Sequence, residues 1–520
     1  MAAEPSFDDK RDFVDADRGF IAALEPGVIK NGKGDVVWNI NDFKFLQGEC
    51  PDTAHPFLWR QGQLNSKQGL YEIVPGIYQI RAFDLSNMTI VEGKEGIIII
   101  DPLISCECAK AGLEIYQQHR GSHRPITGVI YSHSHGDRVI PQNPDPSLPI
   151  IAPEGFMEAI LSESMIAGPA MRQRGAYMYG RALTRGPKGH FGTGLGMASS
   201  AGTEAPAEIN FHFPDFRALC IPETATNCMH NIVRDSKAWS QYLDEAIVMF
   251  GYDSDVVFGS HNWPTFGQAE LITRFSEQRD MYGYLHDQTV HMMNSGMTGV
   301  EIAERLQLPP NISKAWHCRG FYGSTSHNVK GKGIYQKYMT WFDGNPSHLW
   351  QYPPREEGER YIACMGGVDA LCARAEEYIN KGDSRFAATL LGHAKATQPS
   401  HEKSNILLAT AYENLGYGAE NATWRNFYLV AAKELRTGEG PGLLGGGRTP
   451  LGPSLTVEQW FDILSVQVDG ERAATEERRF AIDFELLDIE ETWRLLLSNG
   501  VLIYRGRLRR QRQDGTIRVT

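Results

Sequence analysis

Strand-like patterns of apolar and polar residues occur in three stretches near the start of the chain. Residues 76–81 alternate, and residues 87–91 and 96–101 follow with the turn-forming Glu92-Gly93-Lys94-Glu95 between them. Such alternation is typical of strands with one buried face, and β-branched residues on both sides of a Gly-containing turn indicate a hairpin. The pattern therefore predicts a sheet that begins at residue 76.

Helical and strand patterns then alternate along the chain. Residues 108–120 have helical spacing of apolar positions, residues 125–131 and 149–153 form short apolar runs, and residues 156–165 are again helical. Strands that alternate with helices indicate an α/β layered fold. Further strands are predicted near 211–213, 218–222 and 255–260, with an amphipathic helix at 239–250, whereas the Gly-rich residues 175–202 predict a loop.

The second half of the chain is mainly helical. Helical spacing dominates residues 268–306 and returns at 361–435, where residues 363–381 and 384–397 resemble an antiparallel helical repeat. The Gly/Pro-rich residues 438–453 predict a linker, followed by a helix at 457–467 and then by strand-like alternation. These shifts predict five parts, namely a lead-in (1–75), an α/β domain (76–355), a helical domain (356–437), the linker (438–453) and a small α+β domain (454–520).

Composition narrows the functional classes. Of the 520 residues, 42% are hydrophobic and 22% charged, which is ordinary for a globular protein, and the formal net charge is -12. A chain with this acidic balance is not expected to bind nucleic acid or an anionic membrane over a general surface. No signal-peptide pattern and no bilayer-spanning run is recognised, so we expect a cytoplasmic location.

Metal-ligand residue types follow the apolar run 125–131. His133, His135 and Asp137 alternate there, and at a strand end a period of two places their side chains on one side of the chain. Imidazole nitrogens and carboxylate oxygens suit zinc, and a loop at a strand end can leave a coordination position open. The motif predicts a metal site, and the alternative is a surface loop that is merely rich in His and Asp.

The motif resembles the His-x-His-x-Asp-His signature of the metallo-β-lactamase superfamily, with Arg138 in place of the last His. Longer stretches resemble the alkyl sulfatases of that superfamily, which hydrolyse detergents such as dodecyl sulfate. These stretches are residues 202–208, 223–231, 260–264, 322–330 and 341–346. The resemblance implies a catalytic αββα sandwich, a helical dimerisation domain that forms a homodimer, and a partial α+β domain like sterol carrier proteins with an apolar surface for the alkyl chain.

The resemblance also implies a dinuclear zinc site and its neighbours. His133, His135 and Glu204 would hold one zinc, Asp137 and His261 the other, and Glu223 would bridge both. His230, Asn231 and Arg234 are candidates for sulfate contacts, and Tyr322 and His327 for positioning or protonating the ester oxygen. The alternatives are a solvated charge for Arg234 and packed, hydrogen-bonded side chains for Tyr322 and His327. Asp101, at the end of the second hairpin strand, either supports the metal loop or simply caps the strand.

Three departures from the family pattern bear on activity. Arg138 cannot ligate a metal, and its fixed charge repels one, so we expect a weak second zinc site unless Arg138 binds the sulfate instead. The segments between Gly196 and Gly202 and after Asn231 are shorter than in relatives, and residues 456–520 are short for a complete carrier fold.

The first hypothesis is zinc-dependent hydrolysis of alkyl sulfate esters to alcohol and inorganic sulfate. The alternative is a weakly active or non-catalytic homologue that keeps the fold, the dimer and the apolar surface. A lactamase or thioesterase is a third hypothesis, which Glu204 disfavours because those enzymes usually have a third His as the metal ligand in that place.

Overall fold

A computed structural model describes residues 4–121, 123–134, 147–197, 207–232, 235–331, 333–441 and 455–506, and the backbone of 515–519. The chain divides into two compact units, one formed by Met1–Phe156 with Arg172–Leu443 and the other by Met157–Met171 with Leu444–Thr520. Within the described residues, no helix combines the length and the apolar character needed to cross a membrane.

Strands and helices occur throughout the described residues. In chain order, the strands are β1 (Phe20–Ala22), β2 (Val28–Lys30), β3 (Val36–Asn39), β4 (Gly69–Val74), β5 (Ile77–Arg81), β6 (Met88–Glu92), β7 (Ile97–Ile100), β8 (Ile126–Ile130), β9 (Ile150–Ile151), β10 (Phe211–Phe213), β11 (Ala218–Cys220), β12 (Val256–Phe258), β13 (Thr265–Phe266), β14 (Phe480–Leu486), β15 (Glu491–Ser498), β16 (Val501–Gly506) and β17 (Gly515–Val519). The helices are α1 (Arg11–Asp17), α2 (Pro56–Asn65), α3 (Cys106–Arg120), α4 (Phe156–Ile160), α5 (Gly168–Met178), α6 (Ser236–Phe250), α7 (Gln268–Asn294), α8 (Gly299–Arg305), α9 (Pro310–Ser313), α10 (Thr325–Lys330), α11 (Tyr335–Met339), α12 (Pro354–Cys364), α13 (Val368–Asn380), α14 (Ser384–Thr397), α15 (Glu402–Tyr417), α16 (Ala422–Thr437), α17 (Val457–Ser465) and α18 (Gly470–Thr475).

The first sheet has the strand order β1-β4-β5-β6-β7-β8-β9. Its strands pair antiparallel from β1 to β7, and β7, β8 and β9 are parallel. The predicted hairpin is confirmed as β6 and β7. Two features differ from expectation. The sheet begins before residue 76, because β1 and β4 come from the predicted lead-in. The predicted buried strand near residue 150 is exposed, because among the described strands β9 lies at the sheet edge and pairs with β8 alone.

A second sheet, in the order β10-β11-β12-β13, lies face to face with the first. One core contains apolar side chains of both sheets, among them Ile77 and Ile100 from the first and Cys220 and Phe258 from the second. The outer face of the first sheet packs with α2 and α3. The outer face of the second packs with α6 and α7. These four layers confirm the expected αββα sandwich.

Capping residues determine where the helices that cover the sandwich begin and end. Ser105 caps α3 by accepting a hydrogen bond from Cys108 N at 3.1 Å, and Gly121 ends the helix in the left-handed region with φ 64°. Asp235 caps α6 by accepting from the backbone N–H groups of Lys237 and Ala238. The predicted helices near 108–120 and 239–250 are confirmed. The Gly-rich stretch expected to be a loop is partly helical, because α5 extends to Met178.

The expected helical region is confirmed as α12 to α16, which share one apolar core. Arg425 on α16 is 1% exposed and attaches this region to the sandwich. Its guanidinium donates to the backbone carbonyls of Thr53 and Pro187, each at 2.7 Å. Burial lowers the pKa of Arg425 to about 9.

In the second unit, α17 packs on a four-stranded sheet in the order β16-β15-β14-β17. The predicted helix at 457–467 and the strand-like pattern after it are confirmed. Most of the predicted linker, residues 442–453, lies outside the described residues.

Candidate metal centre

Three ligand-type side chains from three strand ends meet in the sandwich. His133 follows β8, Glu223 follows β11, and His261 follows β12. Strands β11 and β12 are parallel neighbours, so the segments after them emerge at one edge of their sheet. The fold therefore brings together residues that are far apart in the sequence.

The three side chains converge on a single oxygen atom. Glu223 Oε1 lies 3.3 Å from His133 Nε2 and 3.1 Å from His261 Nε2. All three residues are buried, and one ligand atom from each lies within 4.8 Å of the others. Two imidazoles and a carboxylate are a donor set that zinc commonly takes in catalytic sites.

Hydrogen bonds behind His133 determine which of its nitrogens carries the proton. Its Nδ1 lies 2.9 Å from Ser132 Oγ. The Ser132 hydroxyl donates to Asp101 Oδ2 at 2.6 Å, so its oxygen can only accept from the imidazole. Asp101 also accepts from the Ser132 backbone N–H at 2.9 Å and from the Ser260 hydroxyl at 2.5 Å. The proton of neutral His133 is therefore on Nδ1, and Nε2 directs its lone pair at Glu223.

The same tautomer follows for His261. Its Nδ1 lies 3.2 Å from the backbone carbonyl oxygen of Leu85, which can only accept. Its Nε2 therefore also presents a lone pair to the Glu223 carboxylate. Two lone pairs and a negative oxygen at these distances repel each other unless a cation or extra protons lie among them. The arrangement thus fits a bound metal cation, which would accept all three donors.

Glu208 supports this centre and was not selected from the sequence. Its Oε1 accepts from the backbone N–H groups of Glu223 at 2.8 Å and Thr224 at 3.0 Å. Burial, together with the charge of Glu223, raises the pKa of Glu208. Glu208 pairs with His133 through an isolated β-bridge, so it joins the segments that carry two of the ligands. The one signal in the sequence was its place in the family-like stretch at 202–208.

The remaining predicted metal ligands, His135, Asp137 and Glu204, lie outside the described residues, as do Arg138 and Arg234. Of the six predicted ligands, the structure therefore describes His133, Glu223 and His261, and it brings these three together.

His230 and Tyr322 form a buried aromatic cluster. Their ring centroids are 4.9 Å apart, and His230 stacks on Trp239 at 5.4 Å. The Tyr322 hydroxyl lies 2.9 Å from the Tyr179 hydroxyl. Tyr179 was not selected from the sequence, because it falls in the Gly-rich stretch that predicted only a loop. The half-buried Asn231 follows His230 directly, and its backbone carbonyl lies 3.3 Å from His230 Nδ1.

His327 lies on the short helix α10 and contacts the helical region. Its Nε2 accepts a hydrogen bond from the Trp424 indole N–H, so its proton is on Nδ1. Among the described residues, Nδ1 has no hydrogen-bond partner. Burial, with smaller effects of Lys330 and Arg174, lowers the pKa of His327 to about 4. The next residue, Asn328, donates to the His230 carbonyl at 3.1 Å and ties α10 to the segment around His230.

Sequence profiles of three families match this chain. The metallo-beta-lactamase superfamily profile matches residues 81–140, the alkyl sulfatase dimerisation profile matches residues 298–438, and the alkyl sulfatase C-terminal profile matches residues 451–520. The dimerisation match begins well before residue 356, where the sequence pattern placed the start of the helical domain.

Two similar proteins are alkylsulfatases. A linear primary-alkylsulfatase from Pseudomonas sp is 39% identical over 570 residues, which cover 100% of this chain and 84% of that protein. An alkyl/aryl-sulfatase from Saccharomyces cerevisiae is 38% identical, with 97% of this chain and 84% of that protein covered. The first alignment is longer than this chain of 520 residues, so the relative has internal segments that this chain lacks.

A solved structure is similar over almost the whole chain. The stereoselective inverting sec-alkylsulfatase Pisa1 from Pseudomonas sp. has a TM-score of 0.93 and 35% sequence identity. The match covers 99% of this chain and 88% of the other. The likeness therefore extends to the helical region and the C-terminal unit as well as to the sandwich.

Proposed function

The chain belongs to the alkylsulfatase family of the metallo-β-lactamase superfamily, whose curated members are hydrolases of sulfuric esters, and from this membership we propose its chemistry. We propose that it uses zinc to hydrolyse alkyl sulfate esters, such as dodecyl sulfate, to the alcohol and inorganic sulfate. The observation that carries the proposal is the convergence of two imidazole lone pairs on the Glu223 carboxylate.

His133, Glu223 and His261 are the described residues that would hold the metal, and we keep His135, Asp137 and Glu204 as further proposed ligands. Bound zinc supplies a Lewis acid that activates water and neutralises charge on the sulfate oxygens. The protein's own part is orientation. Asp101 and Ser132 hold His133, and the Leu85 carbonyl holds His261, so both donors are arranged before the metal binds.

We assign the substrate contacts to the segment after Glu223 and to α10. Asn231, Arg234 and Arg138 would bind the sulfate, since an Arg fork matches a tetrahedral oxyanion. His230 and Tyr322 would position the ester oxygen from the buried aromatic cluster. His327 is neutral at pH 7 with a pKa of about 4, so it serves as a hydrogen-bond donor through Nδ1 rather than as a proton source.

Arg138 supports a second candidate function. The superfamily signature that residues 133–138 resemble has a His in this position, and a guanidinium in its place would weaken a second zinc site. The chain would then be a weakly active or non-catalytic homologue that keeps the fold, the dimer and the apolar surface. The helical match to the alkyl sulfatase dimerisation profile supports the homodimer in both cases.

Release of inorganic sulfate from dodecyl sulfate tests the proposal. We expect sulfate release by the purified protein, loss of release after removal of metal with a chelator, and recovery on addition of zinc. The His261→Ala variant, treated identically, should not recover. If the zinc-loaded wild-type protein releases no sulfate from C8 to C16 alkyl sulfates, the enzymatic proposal is wrong and the second candidate is favoured.

A further inference from the structure

The two most exposed tryptophans of the described chain lie within one connection. Trp341 is 76% exposed and Trp350 is 95% exposed, whereas most of the other tryptophans are buried. Tyr338, Leu349 and Tyr352 expose between 46% and 53% of their surface nearby in the sequence. We call these five residues the Trp341–Trp350 surface. Large apolar side chains that are exposed within one short connection mark interaction sites more often than isolated ones do.

Internal hydrogen bonds order the connection that carries these side chains. Asp343 accepts from the backbone N–H of Asn345 at 2.9 Å and from the His348 ring at 2.5 Å. The Tyr335 hydroxyl donates to the Asp343 carbonyl at 3.2 Å, and the Arg360 guanidinium lies 3.8 Å from the centre of the Tyr352 ring. The tryptophans are therefore presented from a defined backbone, which lowers the entropy lost when a partner binds.

Charge restricts the partner that this surface can accept. Residues 338–353 contain one acidic residue, Asp343, and no Lys or Arg. His348 lowers the pKa of Asp343 and accompanies its charge. Two copies of a chain with net charge -12 repel each other over most of their surfaces. Lys337 and Arg360 lie 5.4 Å and 3.8 Å from the centres of the Tyr338 and Tyr352 rings, so this aromatic surface is less acidic than the chain as a whole. Two such copies can approach at a surface of this kind, and a symmetric contact requires only one self-complementary surface.

We propose that the Trp341–Trp350 surface binds a second copy of this chain and lies in the homodimer interface. The inference rests on the homodimer proposed above and adds its contact residues. The surface falls inside residues 298–438, which match the alkyl sulfatase dimerisation profile, so it continues a region already associated with dimerisation. Each tryptophan can bury roughly 150–250 Å². The pair would supply about half of the roughly 800 Å² per partner that a stable dimer needs.

The test compares the full-length protein with a double variant, Trp341→Ser with Trp350→Ser, by sedimentation velocity from 0.1 to 50 μM. The matched control is Trp460→Ser, because Trp460 is also partly exposed, at 43%, but lies outside the dimerisation match. We expect the wild-type protein and the control to be dimers. We expect the double variant to have a dissociation constant raised at least about 100-fold, because buried interface tryptophans are typical hot spots.

A double variant that is folded by circular dichroism and dimerises like the wild type overturns the inference while the homodimer stands. A wild-type protein that is monomeric at 50 μM overturns both. A measurement on the unmutated protein tests the inference even if the double variant does not fold. Dilution of the wild type through its dissociation range should shift tryptophan emission to longer wavelength, since two tryptophans enter water, and constant emission across that range contradicts the inference.

Discussion

Replacing Asp101 with Asn tests how the protein orients its metal ligands. Asp101 has a backbone φ of 56°, in the left-handed region that Asn tolerates well, so the backbone should be retained. The carboxylate now accepts the Ser132 hydroxyl at 2.6 Å and so keeps that hydroxyl proton away from His133. An amide group there can donate to the Ser132 oxygen, which frees the hydroxyl to donate to His133 Nδ1. His133 would then carry its proton on Nε2, the atom that faces Glu223, and could not ligate a metal.

Loss of such an outer hydrogen bond usually weakens metal binding by about 10–100-fold, which corresponds to about 1.4–2.7 kcal/mol. We expect the Asp101→Asn variant, and equally Ser132→Ala, to show a zinc dissociation constant raised by this factor in competition with a chromogenic chelator. Ser260→Ala is the matched control. The Ser260 hydroxyl also donates to Asp101, at 2.5 Å, but the hydroxyl that meets His133 Nδ1 is that of Ser132. The control should change zinc affinity by less than about 3-fold.

If Asp101→Asn and Ser132→Ala bind zinc as tightly as the wild type while remaining folded, the orientation argument is wrong. Equal losses in all three variants would indicate general damage to the site rather than a change of the His133 tautomer.

Three further predictions concern other parts of the chain. Burial lowers the pKa of His190 to about 4 in the folded protein. Between pH 6.5 and 4 the unfolded chain therefore binds more protons than the folded protein, and the free energy of unfolding decreases as the pH is lowered. His190→Gln should therefore lose about 3 kcal/mol less than the wild type between pH 7 and 4 in urea unfolding, and equal losses would contradict this. Arg425→Ala should destabilise the protein by about 3–5 kcal/mol, because it removes the guanidinium that donates to the partly buried carbonyl groups of Thr53 and Gly189, and a loss below about 1 kcal/mol would refute it. Arg138→His should raise zinc content toward two per chain and increase sulfate release from dodecyl sulfate, and no gain in either would direct attention to the short segments near Gly196 and after Asn231.

Local periodicity was enough to predict the strands and helices whose faces are clearly amphipathic. The hairpin of β6 and β7, the helices α3 and α6 and the helical region all follow from spacing of apolar residues. Strand β1 could not be found in this way, because three residues carry too little pattern and its pairing with β4 is decided by tertiary contacts. The exposure of β9 depends on its edge position, which its own sequence does not encode.

The candidate site likewise contains one residue that local pattern predicts and others that it does not. His133 was predicted from the residues themselves, because it directly follows an apolar strand. Glu223 and His261 could be associated with it only through the family resemblance, since no spacing rule links residues so far apart. The hydrogen bonds of Ser132 and Glu208 arise from chain segments that meet only in the folded protein, so no local pattern could assign them.

Zinc content tests the central claim most directly. We predict that wild-type protein, equilibrated with zinc and freed of excess metal, retains about one zinc per chain or more by mass spectrometry, since His133, Glu223 and His261 supply three ligands. His261→Ala should retain at most a small fraction of that amount while staying folded. A wild-type content near zero, or a His261→Ala content equal to that of the wild type, would contradict the account.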